Sequence, residues 1–284
     1  MKKQTRANTA WETLDILTNG HYVNPRGKTI RIQSALQYAA SNTLLYRPED
    51  FETVFRQRDK QSALHEGLIE VTGESTYAAA YRLVVTEKQQ NVCCLNFASA
   101  KNPGGGFLKG AHAQEEALAR ASGLYTCLQQ QSDMYQINRS YGSCLYTDHM
   151  IYSPLVPVFR NDADQLLEDY YTVSVITAPA VNAGAVQDNE PENVSRIKPV
   201  MLGRMEKLLS VAAAHGQTTL ILGAWGCGVF RNDREDVAGW FATLLNSDTF
   251  RHRFSKVVFA VYDTTEKQDT IRTFKNKLTN HELS

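Results

Sequence analysis

Four short apolar runs constrain this chain more than any other feature: residues 92–97, 173–176, 218–222 and 256–261. Each spans four to six residues between polar or turn-forming neighbours, the pattern of strands covered on both faces. Helical stripes separate them: Val200, Met201, Met205, Leu208, Leu209 and Ala212 in one, Val237, Trp240, Phe241, Leu244 and Leu245 in another. Stripes of this kind belong to a core rather than to a cofactor. Strands alternating with amphipathic helices predict an α/β domain with helices on both sides of its sheet. The alternation starts near residue 67, where Leu68-Ile69-Glu70-Val71 reads as a strand and Ser75 to about Lys88 as a helix.

Residues 1–65 read differently. Trp11, Leu14, Ile16 and Leu17 mark a helix from Thr5 to Thr18 with Gly20 as its C-cap, and Asn24-Pro25-Arg26-Gly27 marks a turn. A short strand at Thr29-Ile30-Arg31-Ile32 and a helix capped by Ser34 follow. The segment carries no recognisable chemistry. The expected organisation is therefore an N-terminal helical accessory segment, 1–65, and a main α/β domain, 66–284.

Composition narrows the partners. Thirty Lys and Arg against 30 Asp and Glu leave a formal net charge of zero, which excludes a chain that holds nucleic acid by bulk positive charge but allows a local phosphate site. Cys93, Cys94, Cys127, Cys144 and Cys227 are an odd set without a Cys-x-x-Cys pair, so they read as reduced thiols rather than a disulfide framework or zinc knuckle. No apolar run approaches the roughly 20 residues of a membrane span, and no signal-peptide core follows Met1. The cytoplasm is the expected compartment.

Two glycine-rich loops carry the chemistry. In the first, Gly104-Gly105-Gly106 follows Pro103 where a strand ends, so a ligand can touch backbone N–H groups there. Eight residues beyond Gly106, Gln114-Glu115-Glu116 opens a helix. Adjacent acids in a first turn are also what the helix macrodipole favours, and that plain reading suffices for an isolated pair. Here the pair follows a loop at the carboxyl end of the sheet, where open α/β folds bind ligands. Neighbouring helical residues lie about 100° apart, so one carboxylate can act on a bond while the other holds a hydroxyl.

The second loop, residues 223–232, carries Gly223, Gly226 and Gly228 and precedes a helix near Arg234, an arrangement suited to phosphate or diphosphate. Its G-x-x-G-x-G order is not the dinucleotide fingerprint, and neither loop has the ending of a P-loop. Phe230 reads equally as a base-stacking aromatic or a packed one. His112 lacks metal-ligand spacing and reads as an ordinary histidine, and Cys227 reads as a small packing residue.

Taken together, Asn96-Phe97-Ala98-Ser99-Ala100, Asn102-Pro103-Gly104-Gly105-Gly106, Gln114-Glu115-Glu116 and the second loop resemble the signature of microbial-type poly(ADP-ribose) glycohydrolases. The resemblance extends along most of the chain, and its combined motifs are far more specific than any one alone. It implies a macrodomain-like three-layer α/β/α fold with a mixed sheet and an N-terminal helical extension. It also implies an enzyme that binds ADP-ribose across the sheet ends and cleaves ribose–ribose O-glycosidic bonds to release ADP-ribose.

On that resemblance Glu116 is the general acid/base and Glu115 holds ribose hydroxyls. Gly104, Gly105, Gly106 and Phe107 line the distal phosphate and ribose, with Asn96, Asn102 and Gln114 beside them. Gly226, Cys227, Gly228, Val229 and Phe230 wrap the diphosphate and cover the adenine. Glu74 stands where macrodomains commonly carry an Asp that reads adenine, a departure in residue type. No metal or cofactor enters this reading. The implied partners are ADP-ribose, poly(ADP-ribose) or ADP-ribosylated proteins, without membrane or direct DNA binding. The alternatives are a mono-ADP-ribosyl hydrolase and a non-catalytic ADP-ribose-binding module, although a pure reader has no need of the acidic pair.

Overall fold

The computed structural model describes residues 2–60 and 65–279. Helix α1 (Lys3–Asn19), the hairpin β1 (His21–Val23) and β2 (Thr29–Arg31), α2 (Gln33–Ser41), β3 (Leu44–Tyr46) and α3 (Phe51–Asp59) come first. Then follow β4 (Leu68–Thr72), α4 (Thr76–Tyr81), β5 (Val92–Phe97), α5 (Gln114–Ala121), α6 (Leu124–Gln129) and α7 (Ser132–Ser140). The chain closes with β6 (Met150–Arg160), β7 (Leu166–Ala178), α8 (Ala183–Asn189), α9 (Ile197–Ala214), β8 (Thr219–Leu222), α10 (Arg234–Leu245), β9 (Lys256–Ala260) and α11 (Asp269–Thr279).

Seven strands form one mixed sheet in the order β3-β6-β7-β5-β8-β9-β4. Pairing is parallel from β7 to β4 and antiparallel where β6 meets β7 and β3. Because side chains alternate across a strand, Cys93 and Leu95 of β5 join a core with α9 and α10, while Val92 and Cys94 join a second core with α4 to α6. Two apolar layers on one strand explain the unbroken apolar run in its sequence. Helices thus cover both faces, as the macrodomain-like reading requires, and no helix among the described residues is long and apolar enough to cross a membrane.

Several local expectations need correction. Ser34 lies inside α2, whose N-cap position is Ile32, so it caps nothing. The helix expected from Ser75 to about Lys88 begins at Thr76, with Ser75 Oγ accepting the Ala78 N–H at 3.1 Å as its cap, and passes into a π-turn at Arg82–Thr86. The helix after Gln114 is two helices, because Ser122 turns extended and bridges to Val158.

Strands β1, β3 and β6 carry no clear signal in the sequence. β6 contains Pro154 and Pro157, which mimic loop signals, and its register with β7 shifts between Ser153 and Val156 and again between Val158 and Arg160. Such irregularities bend a hairpin, and the β6–β7 turn reaches α4, where Ser75 Oγ donates to Asp162 at 2.6 Å. The N-terminal segment supplies β3 at the edge of the main sheet. Residues 61–64, next to the expected boundary at 65, lie outside the described residues.

Candidate active site

The carboxyl ends of β4, β5, β7, β8 and β9 lie at one side of the sheet, and a cavity of about 750 Å³ opens there. Its wall takes Ser99 from the loop after β5, Glu115 and Glu116 from α5, Gly226–Phe230 from the loop after β8, and Tyr262–Thr265 from the loop after β9.

The two acids are held differently. Glu115 is 3% exposed, with Oε2 accepting the Ser99 N–H at 2.7 Å and Oε1 the Asn96 side-chain amide at 3.4 Å. Burial pushes its carboxyl up to about 8; the Ser99 N–H opposes this and the neighbouring Glu116 charge adds to it. Glu116 is more open: Oε1 accepts the Gly106 N–H at 2.9 Å and Oε2 the Ala113 N–H at 3.0 Å. The glycine loop and the start of α5 therefore grip one carboxylate between them.

Gly105 explains why the loop is stripped of side chains. Its φ is +59°, and a Cβ there would stand 2.9 Å from Glu116 Cδ and 3.2 Å from Glu115 Oε2. Both carboxylates thus lie against the same glycine, and no larger residue fits between chain and acids.

Gln114 is a strut. Its Oε1 accepts the Phe97 N–H at 2.8 Å and its Nε2 donates to Leu95 O at 2.8 Å and Thr76 Oγ1 at 3.0 Å, locking α5 to the end of β5. Asn96 lies fully buried behind Glu115, its Nδ2 also donating to Thr177 Oγ1 at 3.2 Å.

Of the other expected residues, Asn96 at the end of β5 and Asn102, Gly104, Gly105 and Gly106 of the first loop do not line the cavity. Asn102 is exposed, its N–H bonded to Ser99 Oγ at 3.1 Å. Phe107 points the other way: it is 1% exposed, packed with Ala10 and Ala119, its ring 4.8 Å from that of Tyr125. An aromatic after three glycines anchors the loop to the protein instead of presenting it to a ligand. Glu74 does not line the cavity either, because Arg82 grips its carboxylate at 2.9 and 2.8 Å and holds it below the usual carboxylate range.

In the second loop Gly226, Cys227, Gly228, Val229 and Phe230 all reach the cavity. Asn232 folds the loop onto itself by donating to Gly226 O at 3.1 Å and ties it to the segment after β7 by donating to Val181 O at 2.7 Å, and the buried Trp225 donates to Ala178 O at 3.1 Å. Phe230 is half-buried with its ring 6.0 Å from Tyr146. Burial pushes the Cys227 thiol up to about 12, which removes it as a thiolate nucleophile. The first amides of α10 are not open to a phosphate as the sequence suggested, since Asp233 accepts the N–H groups of Glu235 and Asp236 at 2.7 and 3.1 Å.

Sequence reasoning missed Tyr262, Asp263 and the β6–β7 turn with Asp162 and Asp164, which line the same cavity. Tyr262 is 69% exposed and offers an aromatic face. Its signal was its place directly after a parallel strand, since such loops line the sheet-end crevice. Among the described residues no cluster of three His, Cys, Asp or Glu is placed to hold a metal ion. Two adjacent carboxylates, one of them pushed up by burial, beside a sheet-end cleft suit acid catalysis at a glycosidic oxygen.

Residues 10–161 match the family described as microbial-type PARG, catalytic domain. The chain belongs to this family. A PARG (poly(ADP-ribose) glycohydrolase) structure from Thermomonospora curvata superposes with a TM-score of 0.91 at 45% identity, covering 96% of this chain and 99% of that one. A second structure from that organism, bound to the inhibitor ADP-HPD, gives 0.89 at 45% identity with the same coverage. PARG from Deinococcus radiodurans in complex with ADP-ribose gives 0.81 at 47% identity, covering 86% of this chain and 96% of that one. No curated protein matches the chain.

Proposed function

We propose that this PARG-family chain is a poly(ADP-ribose) glycohydrolase that hydrolyses ribose–ribose O-glycosidic bonds and releases ADP-ribose. The observation that carries this reading is the Glu115–Glu116 pair, held against Gly105 on the wall of the sheet-end cavity. The ADP-ribose and ADP-HPD complexes of the two relatives support ADP-ribose as the occupant of that cavity.

Glu116 acts as general acid/base. Its proton goes to the leaving ribose oxygen as the anomeric carbon takes on oxocarbenium character, and it then recovers a proton from the water that attacks that carbon. Glu115 holds ribose hydroxyls and orients the scissile unit. Gly226–Phe230 wrap the diphosphate, so recognition is local and involves few phosphates, which accords with the chain's zero net charge. One observation favours exchanging the two acids: Glu115, raised to about 8, carries a proton at pH 7 as a donor must. We place the enzyme in the cytoplasm, on the strength of its five free cysteines.

Parallel assays on poly(ADP-ribose) and on a mono-ADP-ribosylated protein test the substrate. Free ADP-ribose released from the polymer is the expected product. Release from the mono-modified protein alone, or ADP-ribose binding without hydrolysis of either substrate, would overturn the reading.

A further inference from the structure

Helix α1 carries three threonines in its middle and end, and their hydroxyls behave differently. Thr9 Oγ1 and Thr18 Oγ1 donate back to their own helix, to Thr5 O at 3.1 Å and Leu14 O at 2.9 Å. That is the usual fate of a helical threonine. Thr13 is fully buried and instead donates across to Arg120 O at 2.6 Å. Arg120 lies in the last turn of α5, which stops at Ala121, so its carbonyl has no helical partner and Thr13 supplies one.

The same helix seats the loop before α5. Arg6 Nε donates to Gly110 O at 2.9 Å, and Gly110, with φ +73°, lies so close to α1 that a Cβ would be 3.2 Å from Ala7 N and would overlap Lys3 O. Arg120, clamped at its carbonyl by Thr13, reaches the same loop from the other side by donating Nη1 to Ala111 O at 3.1 Å. Gly106 and Ala113, the two amides that hold the Glu116 carboxylate, flank these ties along the chain.

We infer that α1 is a positioning element of the active site, with Thr13 and Arg6 fixing the stretch of chain that aims Glu116. Neither residue lines the cavity, so neither is catalytic. The effect on turnover rests on the role of Glu116 proposed above, whereas the effect on the loop does not.

The test compares the full-length wild type with Thr13→Val, Thr13→Ser and Arg6→Ala. Thr13→Val should lower kcat on poly(ADP-ribose) by roughly tenfold to a hundredfold, the scale of a misplaced reacting group, with KM and ADP-ribose Kd within about twofold. Thr13→Ser should restore kcat. Arg6→Ala should show the same split and carries the test if Thr13→Val fails to fold.

Amide hydrogen exchange reads the loop without any substrate. Gly106 and Ala113 should exchange about tenfold faster in Thr13→Val, while residues 226–230 keep their wild-type rates. Accelerated exchange with unchanged kcat upholds the positioning role and removes Glu116 from the reaction. Unchanged exchange with unchanged kcat overturns the inference, and so does a fall in kcat that Thr13→Ser fails to rescue.

Discussion

The two glycine loops look alike in sequence, but Gly105–Gly106 of the first and Gly228 of the second meet opposite surroundings. In the first, Gly105 lies against the protein's own carboxylates, and Gly106 spends its N–H on Glu116. In the second, Gly228 has nothing within 4 Å of its would-be Cβ, and its neighbour Val229 is 84% exposed. The first loop is a clamp on two carboxylates; in the second, Gly223 and Gly226 pack against Ala260 and Ala180, and Gly228 is left as open backbone that a ligand can approach. A glycine run thus reports that something comes close, and only the packing tells whether that is protein or ligand.

Breaking the clamp should give the largest effect. Gly105→Ala places a Cβ at φ +59° and 2.9 Å from Glu116 Cδ. Polymer turnover should fall by about a hundredfold or more, and urea unfolding should show a loss of roughly 1–3 kcal/mol. Wild-type kcat in this variant would mean the carboxylates do not need the glycine.

Glu115→Gln tests the electrostatic side of the same clamp. The Glu115 carboxyl sits at about 8 when folded, above its ordinary 4.5. The contribution of its neutral form to stability is therefore full below pH 4.5 and lost progressively as pH rises towards 8. Gln does not titrate, so the variant should gain on the wild type with rising pH, by on the order of 3 kcal/mol at pH 8.5 and almost nothing at pH 4.5. Thermal unfolding of both proteins at the two pH values measures it, and parallel curves would contradict the buried, proton-bearing acid.

Gly228→Ala, the same change in the open loop, should be the mildest. Stability should stay within about 0.5 kcal/mol, while calorimetry records a several-fold weaker ADP-ribose Kd. A large loss of stability here would erase the contrast between the loops.

Much of the molecule was legible because its signals are periodic. β5, β8, β9, α9 and α10 follow from unbroken apolar runs and helical stripes, which two core layers impose. β6 was hidden because its two prolines, tolerated at a bulged antiparallel stretch, mimic loop punctuation. In the site, the acids and the second loop were legible from motif order. Tyr262, Asp162 and Asp164 were not, since single residues in turns have no period and reach the cavity only through tertiary placement. Phe107 and Glu74 show the converse: each stands where a motif suggests a ligand contact, but packing against Ala10 and Ala119 claims the first and pairing with Arg82 the second.

The most direct test of the central claim is turnover of poly(ADP-ribose) by Glu116→Gln at pH 7, read beside its ADP-ribose Kd. The expected result is a loss of about 10²- to 10⁴-fold in kcat, the usual worth of a general acid/base, with the Kd close to that of the wild type. Wild-type turnover in Glu116→Gln, with silence in Glu115→Gln, would contradict the assignment and make the buried acid the proton donor.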